Sequence, residues 1–168
     1  MVEPKYRLKQ INQIGFVVKD LDKAMEAYWT QFGVGPWKIY TYGPPLVKDT
    51  TYRGQPATYH MRVALANVGE LMFELIQHLD GENLYNDFAK IAGQGVQHLG
   101  IFVPNLAAAV KDAEAAGLRV IQSGRGFGAK GDGGYAYLDT ADDVGTIYEF
   151  IEIPEQRHPP ERWYPFEP

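Results

Sequence analysis

QHLGIFVPNL, running from Gln97 to Leu106, is the stretch that decides the fold, because QIGFVVKDL, from Gln13 to Leu21, is an earlier copy of it. Aligned on His98 and Gln13, each copy has a polar start, Gly at the third place (Gly100, Gly15), an apolar run, an Asx (Asn105, Asp20) and a Leu. Alternation in the first copy puts Ile11, Gln13, Gly15 and Val17 on one strand face and Ile14, Phe16 and Val18 on the other. A helical pattern follows each strand. Leu21, Ala24, Met25, Tyr28 and Phe32 recur at helical spacing before Gly33, and Leu106, Ala109, Val110 and Ala113 before Gly117. Asp20 and Asn105 suit the caps, since their side chains can accept from the free amides of the first turn.

Working outward, the first unit continues with a strand over 36–42, a Gly- and Pro-rich loop over 43–56, a strand over 57–66, a turn at Asn67-Val68-Gly69 and a strand over 70–77. Leu84, Phe88 and Ile91 predict a short bridging helix. The second unit repeats the order, with strands over 97–103, 119–122, 135–139 and 145–153. The class is α+β: one domain over 1–168, built from βαβββ modules at 10–80 and 96–153. Residues 1–9 read as a loose lead-in. The tail, 154–168, is rich in proline and aromatics and predicts an extended segment without regular structure, either docked or disordered.

Composition narrows the partners. A formal charge of -5 without any Lys/Arg cluster argues against nucleic acid and anionic membranes and leaves a small molecule as the expected partner. Without cysteine, any metal must be held by N and O donors. No signal-type or membrane-length apolar stretch is present, so the default location is cytoplasmic.

Each module offers one ligand-type residue on its first strand, Gln13 or His98, and one carboxylate on its last, Glu74 or Glu149. Packed face to face, the modules would bring the four together. Two carboxylates buried without a cation would cost several kcal/mol unless one kept its proton, and one divalent metal ion removes the conflict. The set leaves coordination positions open, as catalytic sites do, and admits zinc, nickel, cobalt, manganese or iron. Four further residues are candidate substrate contacts. His60 and Arg62 share a strand face that could anchor a carboxylate or phosphate, or could simply be exposed. Tyr135 and Tyr137 stand behind a glycine-rich loop at 126–131, which resembles a dinucleotide fingerprint in letters only, since no helix can open at Asp132.

The βαβββ order, the paired QIGFVVKD and QHLGIFVPN segments and the strand ends FEL and YEFIE resemble the vicinal oxygen chelate superfamily over residues 10–153. That superfamily includes glyoxalase I, methylmalonyl-CoA epimerase, extradiol dioxygenases and bleomycin-resistance proteins. The resemblance implies pseudo-two-fold modules forming a cupped mixed sheet around one site and metal positions at Gln13, Glu74, His98 and Glu149; a homodimer is the expected assembly, and since members of the superfamily pair their modules in both ways the site can form within one chain or across a dimer. It is nearest to the epimerase-like and glyoxalase-like members. For these it implies a metal-dependent isomerase, epimerase or lyase that moves a proton next to a carbonyl, with Glu149 as first candidate base and Glu74 as second. Gln13 stands where epimerases have His and animal glyoxalase I has Gln. Val17 and Gln94 occupy places where animal glyoxalase I holds glutathione with Arg, which disfavours glutathione. The rival readings are a metal-free binding protein of the bleomycin-resistance type and an iron-dependent extradiol-type dioxygenase.

Overall fold

The two copies form the middle of one sheet. In a computed structural model, which describes residues 6–168, β1 (Gln13–Val17) and β7 (Gly95–Phe102) lie side by side and antiparallel. The first five residues of the expected lead-in lie outside the described residues. On one side β1 is followed by β6 (Leu71–Asp80), β5 (His60–Val68) and β2 (Trp37–Tyr42); on the other β7 is followed by β10 (Ile147–Glu152), β9 (Gly134–Leu138) and β8 (Val120–Arg125). Counted outward from the junction, both halves therefore run first, fourth, third and second strand, with the first and fourth parallel.

The helices start and stop where the sequence places them. In α1 (Leu21–Phe32) the Lys23 amide donates to Asp20, and Gly33 closes the helix in the left-handed region. In α3 (Leu106–Ala115) the Ala108 amide donates to Asn105. Alternation along the strands then sorts the core. On the outer face, α1 buries Leu21 and Met25 against Trp37, Ile39, Ala64 and Leu75, while Ala113 of α3 joins Ile101, Leu138 and Phe150. On the inner face, Val17, Tyr40, Tyr42, Met61, Val63, Ile76, Tyr135, Tyr137 and Ile151 meet one another.

The sheet has to curl. The segment expected as a loop at 43–56 contains β3 (Lys48–Tyr52) and β4 (Gln55–Pro56), and β3 pairs with β8 at the opposite end of the sheet from β2. Five residues join β2 to β3, a reach of about 20 Å at most. Eight strand spacings in a flat sheet would cover about 38 Å. The linker is satisfied only by a cup, and across its buried interior the Tyr59 and Tyr135 hydroxyls meet at 2.8 Å.

Other expectations need correction. The β5–β6 turn is the two residues Gly69 and Glu70, with Val68 opposite Leu71, rather than Asn67 to Gly69. The bridging helix α2 (Leu84–Ala92) buries Leu84 and Tyr85 but leaves Ile91 89% exposed. A short helix, α4 (Ala141–Val144), stands between β9 and β10. The tail contains a strand, β11 (Arg162–Tyr164), against β2, and Phe166 packs edge-on to Trp29 at 5.7 Å. Among the described residues no helix is long and apolar enough to cross a membrane.

Candidate metal centre

The site is built on two rows across the four central strands. In one row Gly15 lies between Glu74 and His98; in the other Gly100 lies between Gln13 and Glu149. The repeated polar-x-Gly pattern thus has a steric cause. A Cβ on Gly15 would lie 1.8 Å from His98 Cε1, and one on Gly100 would lie 2.7 Å from Gln13 Oε1. Each copy's glycine makes room for the other copy's ligand-type side chain.

The ligand atoms converge. His98 Nε2 lies 3.1 Å from Glu149 Oε2 and 3.4 Å from Glu74 Oε2, and His98 and Glu149 are buried while Glu74 is slightly open. One donor atom from each of the three lies within 4.8 Å of the others. Despite that closeness, His98 Nε2 and Glu149 Oε2 have no hydrogen-bond partner, and neither has Gln13 Oε1 nearby. Gln13 turns its amide nitrogen away to the Met72 sulfur at 3.7 Å, which leaves the oxygen facing the same side as the others. Leaving buried polar atoms unsatisfied costs about 1–3 kcal/mol each. Acceptors that crowd together without bonding to one another suit a cation placed among them, so the donor set fits a divalent metal ion.

Gln97 fixes the imidazole. Its Oε1 can only accept, so His98 Nδ1–H donates to it at 2.7 Å, and the Nε2 lone pair is the one aimed at the carboxylates. Without a cation, the site keeps a proton. Burial pulls the His98 pKa down, but the negative charges of Glu149 and Glu74 beside it outweigh burial and lift it to about 9. Burial also raises Glu149, against the lowering pull of His98.

Above the ligands the cavity is small, ≈ 30 Å³, about the space of one water. Its walls are aromatic. Tyr137 meets the His98 ring edge-to-face at 5.1 Å and shares a 2.9 Å hydrogen bond with Tyr85. Burial drives the hydroxyl pKa values of Tyr85, Tyr135 and Tyr137 far up, so all three stay neutral. Phe127, from the glycine-rich loop, and Arg157, from the tail, close the top; the Arg157 guanidinium lies 5.2 Å over the Phe127 ring and donates to the Tyr42 hydroxyl at 3.1 Å.

The structure thus brings together Gln13, Glu74, His98 and Glu149, with Tyr135 and Tyr137 beside them. It does not bring in His60 or Arg62. Both project from the other face of β5, where His60 pairs with Asp80 at 2.8 Å and Arg62 with Asp22 of α1 at 3.2 Å. Leu65, not Arg62, sits opposite Glu74. Gln97, Tyr42, Tyr85 and Arg157 are among the residues the sequence reading missed as parts of the site. Adjacency to His98 was the available signal for Gln97; nothing in the tail's composition marked Arg157.

Solved structures share this architecture. A methylmalonyl-CoA epimerase from Mycobacterium tuberculosis is 22% identical, with a TM-score of 0.63, 90% of this chain covered and 95% of that one. A Streptomyces coelicolor methylmalonyl-CoA epimerase in complex with 2-nitronate-propionyl-CoA is 20% identical, with a TM-score of 0.66 and 91% and 100% covered. A hypothetical protein from Bacillus halodurans is 21% identical, with a TM-score of 0.61 and 89% and 97% covered. No curated protein matches the chain. The family model described as Glyoxalase/Bleomycin resistance protein/Dioxygenase superfamily matches residues 12–137, well over half of the sequence, and with the cupped sheet already in place the chain belongs to that superfamily.

Proposed function

We propose that this protein is a metal-dependent isomerase, epimerase or lyase that moves a proton on the carbon next to a carbonyl. The observation that carries the reading is the set of buried polar atoms without a hydrogen-bond partner: Gln13 Oε1 and Glu149 Oε2 at one cavity with the Glu74 carboxylate, and His98 Nε2 beneath it, 3.1 Å from Glu149 and 3.4 Å from Glu74. A sequestering groove gains nothing from such a set. Held by Gln13, Glu74, His98 and Glu149, a divalent ion would supply Lewis-acid polarisation of a substrate carbonyl oxygen, which acidifies the neighbouring carbon.

The chain's own groups do the rest. Glu149 accepts the proton, and burial, which raises its pKa, brings it nearer the working range of a general base. Glu74 reaches the same point from β6, on the far side of the β1–β7 pair, so a proton removed by one carboxylate can be replaced by way of the other. Gln97 holds the His98 ring, and the tyrosines with Phe127 keep bulk water from the reacting carbon.

The test is α-proton exchange with deuterated solvent, followed by NMR. The panel comprises 2-oxo acids, 2-hydroxy acids and acyl-CoA thioesters, the last because the Streptomyces coelicolor neighbour holds one. Metal content is measured on the same samples. Exchange of at least one compound, lost in Glu149→Gln, is expected. Retention of every α-proton by metal-loaded protein overturns the reading, and failure to take up any metal moves it to a binding protein.

A further inference from the structure

The space above the ligands, ≈ 30 Å³, takes little more than the reacting atoms. A larger cleft of ≈ 300 Å³ adjoins it, between β2, β5 and the tail. Its wall includes Met72, the residue that receives the Gln13 amide, and its partition is Arg157, which lines both spaces. Lys38 lies opposite Leu65, and Leu65 opposite Glu74, so Lys38 belongs to the same cross-strand row as the metal centre, two spacings away, or about 10 Å.

The arginine in this cleft differs from the other arginines whose ion pairs the structure shows. Arg53, Arg62, Arg119, Arg125 and Arg162 each meet an aspartate. Arg157 meets only the Tyr42 hydroxyl and the Phe127 ring, and the Lys38 ammonium lies 5.3 Å over the Trp163 ring; among the described residues neither has a carboxylate partner. An arginine without a carboxylate partner beside a lysine at one cleft suits an anionic ligand, in a chain whose ion-paired arginines all meet aspartates. Leu65, Met72 and Trp163 would partly desolvate a ligand there, which strengthens a charge-assisted pair.

We infer that this cleft is a subsite for a compact anionic group, carboxylate or phosphate, held by Lys38 and Arg157, so that the substrate is a carbonyl compound with a negative charge remote from its reacting carbon. Arg157 and Trp163 both come from the tail, beyond the matched residues 12–137, which makes the tail the part of the chain that selects the substrate. The substrate assignment rests on the proton-transfer reading; the anion site itself does not.

The experiment titrates succinate and inorganic phosphate, at low ionic strength, into metal-loaded and chelator-stripped protein by calorimetry. At least one anion should bind saturably, keep binding after the metal is stripped, and weaken about ten-fold or more in Lys38→Met and Arg157→Met, the loss expected for one charge-assisted hydrogen bond. Arg157→Lys should recover part of it, and both Met variants should keep the metal content of the parent. The stronger of the two anions identifies the group. No saturable binding to stripped protein, or binding that both Met variants leave unchanged, overturns the subsite. If the anion binds as expected but no compound exchanges a proton, the proposed reaction fails and the subsite stands. If exchange occurs with KM unchanged in both variants, the subsite fails and the reaction stands.

Discussion

Gly15→Ala should abolish the metal centre without touching a single ligand. The added Cβ would lie 1.8 Å from His98 Cε1, 2.2 Å from Nε2 and 2.3 Å from Nδ1. Ordinary contact between such atoms is about 3.5–4.0 Å, so the ring must retreat by about 2 Å. It has nowhere to go: the side chain is fully buried, tied to Gln97 at 2.7 Å and flanked by Tyr137 at 5.1 Å between ring centroids. Metal sites tolerate displacements of about 0.2 Å. The expected result is a fall in metal affinity beyond the roughly 10–100-fold typical of losing an outer-shell partner, with about 1–3 kcal/mol of overpacking. A double-mutant cycle isolates the cause. Measured by denaturant unfolding of metal-free protein, Gly15→Ala should cost much less in the His98→Ala background, because the ring it strikes is gone, giving a coupling above about 0.5 kcal/mol. Normal metal stoichiometry and affinity in Gly15→Ala, or additive costs in the cycle, would refute the steric account of the motif.

Three further outcomes follow from the geometry. Gln97→Leu removes the acceptor of His98 Nδ1–H and should weaken metal binding roughly 10–100-fold, read by competition with a chromophoric chelator, while helix and sheet content by circular dichroism stay unchanged. For metal-free protein, the His98 pKa of about 9 lies above its ordinary 6.5, so its contribution to stability is complete below about 6.5 and fades as pH rises through about 9; Glu149, also raised, acts in the same direction. Its Tm should therefore fall over that window, while apparent metal affinity rises about ten-fold per pH unit because the ion displaces a proton; flat profiles in both would sink the assignment. Arg62→Met should leave proton exchange within about two-fold and cost at most about 1 kcal/mol, since its partner Asp22 is half exposed and lies on the helix side of the sheet.

That last expectation selects the exposed-face alternative for Arg62, and the reason is register. A turn over Asn67 to Gly69, with strands ending at Ala66 and resuming at Glu70, sets Arg62 opposite Glu74 and places it in the site. The actual two-residue turn, with Gly69 at φ +60°, sets Leu65 there and sends Arg62 and His60 to the other face. Alternation alone is blind to this, because both faces of β5 carry apolar residues: Met61, Val63 and Leu65 inside, Ala64 and Ala66 outside. β3 and β4 escaped for a different reason. Their hairpin turns on Arg53-Gly54, both with positive φ, where Arg hides the signal that Asn or Asp would give, and the partner of Thr51 is Ser123, far along the chain.

The metal-type residues were legible because their constraint is written twice. Gln13 and His98 each stand two places before a glycine, and in the folded sheet each of those glycines lies beneath the side chain from the other copy. Neither glycine has a positive φ, so no turn requires it; the requirement is the width of a ring or an amide lying across the neighbouring strand. Such a contact exists only when both copies are present, in antiparallel register at the β1–β7 junction. A mutation at either glycine is therefore a mutation at a candidate ligand of the opposite module. The site belongs to the junction, and neither module can hold it alone.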